Sequence, residues 1–159
     1  MRYVLLLAVL AAAVWAKGVI EVHGTSTLHD WTMASHDVTV QMEEENSTIK
    51  ALKVSLVIET LKSGDKGMDD NAYRALKADR KSPITFTLIT QKKDGSLEGV
   101  VTIGSRETKV VVTPDSIENG VITGSFKTKM TAFGVTPPTF LFGMLKTGDA
   151  IEITYKVSE

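Results

Sequence analysis

The sequence predicts an antiparallel all-β domain of about eight strands with one short helix, closed into a barrel. Three observations predict it. Over most of the chain apolar residues alternate with polar ones, the period of strands with one buried face. The links between these runs are short, and two carry the hairpin dipeptides Asp94-Gly95 and Asn119-Gly120, so parallel crossovers are excluded. The runs are also long and poor in edge-blocking proline, which favours closure, because a closed sheet has no edges. A sandwich fits the same alternation. A barrel of about eight strands has an interior just wide enough to be filled by side chains or to hold one small ligand.

The first sixteen residues stand apart. Arg2 precedes an uninterrupted apolar run over 4–14, and Val14-Trp15-Ala16 supplies modest side chains before a cleavage point, the pattern of a secretory signal peptide. Cleavage after Ala16 leaves one domain over 17–159, 143 residues long, enough for a real core. Removing Arg2 from the 18 basic residues leaves 17 against 19 acidic ones, a formal charge near −2 and no case for a nucleic-acid partner. The chain has no cysteine, which excludes disulfides, a thiolate nucleophile, a cysteine metal site and an N-terminal lipidated cysteine.

Taken in order, Ile20 and Val22 alternate with Glu21 and His23 as a strand, and Gly24-Thr25-Ser26-Thr27 is turn-prone. Trp31, Met33, Val38, Val40 and Met42 continue the alternation, with a phase slip over 34–37 that suits a β-bulge. Residues 43–47 form a charged turn. Leu52, Val54, Leu56 and Ile58 give the cleanest strand pattern. Over 68–79 the spacing changes: Ala72, Tyr73, Ala75, Leu76 and Ala78 recur at helical intervals, with Asp69 or Asp70 as the cap. Ile84, Phe86 and Leu88 resume period two, followed by Leu97, Val101 and Ile103, then 109–113, then Ile122 to Met130, and finally Ile151, Ile153, Tyr155 and Val157.

Residues 130–149 break the pattern. Pro137 and Pro138 remove two ladder donors in succession, so the stretch reads as a loop, yet it holds Phe133, Phe140 and Phe142. Loops run over surfaces and avoid such residues. These side chains are expected to close one end of a hydrophobic interior, with the fused prolines favouring a rigid plug over a mobile lid.

Three segments in this order, Gly24-Thr25-Ser26-Thr27-Leu28-His29-Asp30-Trp31, the helix 68–79 running into Ser82-Pro83-Ile84-Thr85-Phe86, and Phe133-Gly134-Val135-Thr136-Pro137-Pro138 with Lys146-Thr147-Gly148-Asp149, resemble the YceI-like family of lipocalin-like, polyisoprenoid-binding exported proteins. The resemblance covers nearly all of 17–159. It implies an extended antiparallel barrel with a lipophilic tunnel, a long-chain isoprenoid or similar amphiphile as ligand, no other cofactor, a periplasmic or extracellular location and a possible homodimer. Membrane contact would be transient at most. Arg106-Glu107-Thr108 departs from the more apolar, glycine-containing turn of related sequences.

The expected ligand-binding residues are Trp31, Leu56, Phe86, Phe126, Met130, Phe133, Phe140 and Phe142, with His29 and Asp30 at the strand start. Burying a chain of about fifteen carbons is worth roughly ten kcal/mol gross at about 0.8 kcal/mol per methylene, before binding costs of several kcal/mol. Apolar burial alone therefore supports useful affinity, and polar groups at the mouth would select the headgroup. Ordinary core packing explains any single one of these apolar residues better; the case for a lined cavity is collective, resting on apolar strand faces and an apolar loop together.

The histidines His23, His29 and His36 carry no metal-ligand spacing, so no metal and no catalytic residue is expected. Two other function classes share the sequence: an enzyme for a hydrophobic substrate using His29 and Asp30 as an acid/base pair, and an interaction protein with a fully packed barrel. Lys77, Arg80 and Lys81 read as a solvated helix end, and Asn46-Ser47-Thr48 as a glycosylation acceptor in a host that uses one.

Overall fold

The computed structural model describes residues 17–140 and 142–159; the signal-peptide expectation for 1–16 lies outside them. Eleven strands occur in order: β1 (Lys17–Ser26), β2 (Trp31–Ser35), β3 (Val38–Glu45), β4 (Thr48–Val57), β5 (Pro83–Gln91), β6 (Leu97–Ile103), β7 (Arg106–Val112), β8 (Ser116–Glu118), β9 (Val121–Lys129), β10 (Thr139–Phe140) and β11 (Leu145–Ser158). One helix, α1 (Lys66–Ala75), lies between β4 and β5. One sheet has the order β2-β1-β11-β9-β8 with β10 on β11, and the other β3-β4-β5-β6-β7. Every ladder is antiparallel, as the short links require.

The strand count exceeds the expected eight for local reasons. β8 and β10 are pieces of three and two residues. At 34–37 the chain makes a corner rather than a bulge, leaving one sheet and entering the other, so one expected run becomes β2 and β3. Ser35 sits fully buried in that corner, its hydroxyl 2.7 Å from the Thr60 hydroxyl and accepting from the Asp37 N–H at 3.3 Å. The sheets are joined there by an isolated parallel bridge between Gly18 and Asp37. A Cβ on Gly18 would come within 2.9 Å of Val38 Cβ, so the close approach needs a glycine.

Hairpin tips follow the turn chemistry. Asn46 and Ser47, at φ 52° and 64°, join β3 to β4, and Asn119 and Gly120, at φ 53° and 74°, join β8 to β9, the paired positive φ of a type I′ turn. Asn46 therefore stands exposed at a tip.

The helix begins earlier than its apolar spacing indicates. Asp65 is the cap, its carboxylate accepting from the Met68 N–H at 2.9 Å. Asp69, expected as a cap, is instead buried and accepts from the Ser63 N–H at 2.8 Å and its hydroxyl at 2.6 Å. Asp70 pairs with Lys66 and Arg80 at 2.7 and 3.0 Å, which holds its carboxyl below the usual range, the Lys66 hydrogen bond first. Tyr73 fastens the helix to the segment that follows β4, donating to the Leu61 carbonyl at 2.6 Å. No helix among the described residues is long and apolar enough to cross a membrane.

Candidate ligand-binding cavity

The inward faces of the two sheets do not fill the space between them. A cavity of about 870 Å³ lies there, near the top of the roughly 300–1,000 Å³ range of small-molecule sites. Its wall is the period-two pattern in three dimensions: Ile20 and Val22 of β1, Ile151 and Ile153 of β11, Leu52 and Val54 of β4, and Val101 and Ile103 of β6. Met68, Ala72 and Leu76 bring in the apolar stripe of α1. The fully packed barrel anticipated as one alternative is not what forms.

Of the residues expected from sequence, Trp31, Leu56, Phe86 and Phe126 line the cavity from the strands, and Met130, Phe133 and Phe140 from the proline-broken stretch. His29 and Asp30 also line it, and both are exposed, which places them where cavity meets solvent. Phe142 does not line it. Its backbone takes φ 56° in the turn after β10, and its side chain stands wholly in water. Strand alternation does not extend into a left-handed turn residue, and that is why the expectation fails.

The mouth has two sides. One is the β1–β2 turn with Ser26, His29 and Asp30, and the other is the approach to α1 with Ser63 and Asp65, together with Asn71 of the helix itself. The second side is not legible in the sequence, because the helical spacing starts at 68 and leaves Ser63 and Asp65 as ordinary loop residues. Trp31 is fixed below the first side: its indole N–H donates to the Thr25 carbonyl at 3.0 Å, and it lies so close to Gly24 that a Cβ there would be 2.2 Å from Trp31 Cζ2. The His29 ring donates from Nδ1 to the Asp30 backbone carbonyl at 2.7 Å, and Ser26 donates its hydroxyl to the His29 carbonyl at 2.7 Å. This orients the imidazole by main chain; it is not the carboxylate–imidazole contact of an acid/base pair. Among the described residues, no three histidine, aspartate or glutamate side chains come together as a cation site.

Beside the mouth, at the same ends of β1, β9 and β11, the chain forms a stopper that also packs on Trp31. A 3-10 turn over Met130–Phe133 leads to Gly134, and Met130, Phe133, Val135 and Ile103 form a buried cluster against Leu76, Val110 and Phe126. Asp149 holds this turn, accepting from the Thr131 N–H at 2.9 Å and the Thr131 hydroxyl at 2.6 Å, and these bonds, the hydroxyl's first, keep its carboxyl below the ordinary range. Arg106 donates to the Leu76 carbonyl at 2.9 Å and to the Gly134 carbonyl, tying the end of α1 to the stopper. The departure from the family turn at Arg106 thus has a structural role. Beyond the prolines the stretch is not all loop: Thr139 pairs with Lys146 and Phe140 with Leu145, so the last strand starts at Leu145 rather than Ile151.

With this geometry in place, three comparisons bear on the chain. A family model described as YceI-like domain matches residues 12–158. No curated protein matches the chain. Among solved structures, Burkholderia cenocepacia BcnA is similar at TM-score 0.68 and 15% identity over 89% of this chain and 96% of that one. A Campylobacter jejuni YceI protein is similar at TM-score 0.57 and 18% identity over 77% and 81%. At such identities these likenesses establish the fold.

Proposed function

The chain belongs to the YceI-like domain family, and from that membership we propose a non-enzymatic carrier that holds one long-chain isoprenoid or similar amphipathic lipid outside the cytoplasm. The observation that carries the proposal is the apolar cavity of about 870 Å³ between the sheets. Walls of Val, Ile, Leu and Phe favour a hydrocarbon chain over ordered water, which needs polar partners. The polar groups sit on the two sides of the mouth, where a headgroup would remain while its chain lies inside. Export rests on the sequence of residues 1–16.

Occlusion tests the proposal. Trp31 is the sole tryptophan beyond residue 16 and lines the cavity, so its fluorescence reports a prenyl quinone entering. Val54→Phe combined with Ala72→Phe narrows the cavity from two sides. The expected result is saturable quenching in the original protein and at least about tenfold weaker uptake in the doubly substituted one, at ~1.4 kcal/mol per tenfold. Equal uptake by a folded double variant would sink the carrier proposal.

A further inference from the structure

The tip of the β10–β11 hairpin is unfavourable twice over. Phe142 is 108% exposed, and its backbone lies at φ 56°, a left-handed conformation that is an outlier for a bulky residue. Asparagine or glycine would relieve both costs. Met144 is 77% exposed beside it, and Leu28 is 68% exposed on the β1–β2 turn. The two turns are fastened together: the Thr27 N–H donates to the Lys146 carbonyl at 2.9 Å, and the Lys146 N–H donates to the Thr27 hydroxyl at 3.0 Å. Leu28, Phe142 and Met144 therefore project from one end of the molecule. Leu28 also lines the cavity mouth, as do Phe140 and Leu145 in the hairpin stem, so apolar surface runs from the tip into the cavity.

We infer that this tip docks the protein on a lipid bilayer, with Phe142, Met144 and Leu28 entering the headgroup–acyl boundary and setting the mouth against it. A second copy of the chain is a poorer occupant. Three side chains on two turns fall far short of the roughly 800 Å² per partner of a stable protein interface. A bilayer asks for no shape complementarity, and each apolar residue contributes to insertion on its own. The charges on the two turns are Asp30, Lys146 and, when protonated, His29. Docking is therefore apolar in origin and survives high salt. Its use in lipid exchange rests on the carrier proposal: a chain could pass between bilayer and cavity without crossing water.

The test is flotation with vesicles of phosphatidylethanolamine and phosphatidylglycerol at 3:1, comparing the protein with its Phe142→Asn/Met144→Ser variant. Neither residue lines the cavity, and asparagine suits the left-handed position, so the variant should melt no lower. The expected result is at least a tenfold smaller floated fraction for the variant, unchanged by 0.5 M salt, with the same uptake of prenyl quinone added from ethanol. If both proteins float equally, or neither floats, docking is wrong. A concentration-dependent dimer dispersed by the substitutions, without flotation of the original protein, makes the patch a self-interface instead. Flotation lost by the variant while neither protein takes up quinone would leave docking standing and remove the carrier proposal.

Discussion

Tyr155 turns its ring into the cavity wall, while its hydroxyl, packed over Gly124, finds no hydrogen-bond partner among the described residues. Burial, and then the charge of Asp115, pushes its phenol up to about 12. The folded state thus favours the neutral form: that contribution is complete below the ordinary phenol value of about 10 and is lost as pH rises through about 12. Phenolate absorbance from Tyr155 should accordingly appear only above pH 11, later than that of a free tyrosine. An unpartnered buried hydroxyl costs about 1–3 kcal/mol, so Tyr155→Phe should raise the melting temperature by about 2–12 °C. A lower melting temperature would mean that the hydroxyl has a partner. Single residues were legible where strand parity governs them, as at Trp31, Leu56, Phe86 and Phe126. They were not where a turn does: Phe142 faces water because its backbone is left-handed, which no alternation rule contains.

At the scale of elements, the stopper at residues 130–135 depends on two side chains from elsewhere. Asp149 is ionised when it receives both Thr131 bonds, and its pKa is lowered, so its support is complete above the ordinary carboxylate range and disappears as pH falls through the lowered value. Amide exchange at Thr131, taken relative to its intrinsic rate at each pH, should therefore quicken only below the ordinary carboxylate value of about 4, before the sheets open. Asp149→Asn should quicken it at neutral pH as well; unchanged exchange would show that the turn holds itself. Arg106→Ala removes two charge-assisted bonds to carbonyls and should cost about 1–2 kcal/mol in chemical denaturation. A loss below 0.3 kcal/mol would contradict the clamp. The sequence carried the greasy, proline-broken character of this stretch, and with it the stopper. It carried neither clamp, because Arg106 lies 28 residues from Gly134 and Asp149 lies 18 from Thr131 in the chain, and each meets its partner only when the barrel-like interior forms. The helix start was likewise hidden, since Lys66 and Gly67 precede its first apolar residue.

For the whole molecule, period-two patterning was enough to specify antiparallel sheets with a common apolar interior, but not its fullness. The same alternation describes a packed core and a lined cavity, and the difference is a matter of how far apart two sheets are held by the corner at Ser35, the bridge at Gly18 and the seated helix. The proposed carrier role requires that this space hold a lipid. Organic extraction of the purified protein followed by mass spectrometry tests it most directly. About one long-chain, sparingly soluble amphiphile per protein is expected, depleted in the Val54→Phe/Ala72→Phe variant. Protein that comes off the column free of lipid, and takes up neither a prenyl quinone nor a fatty amide, would contradict it.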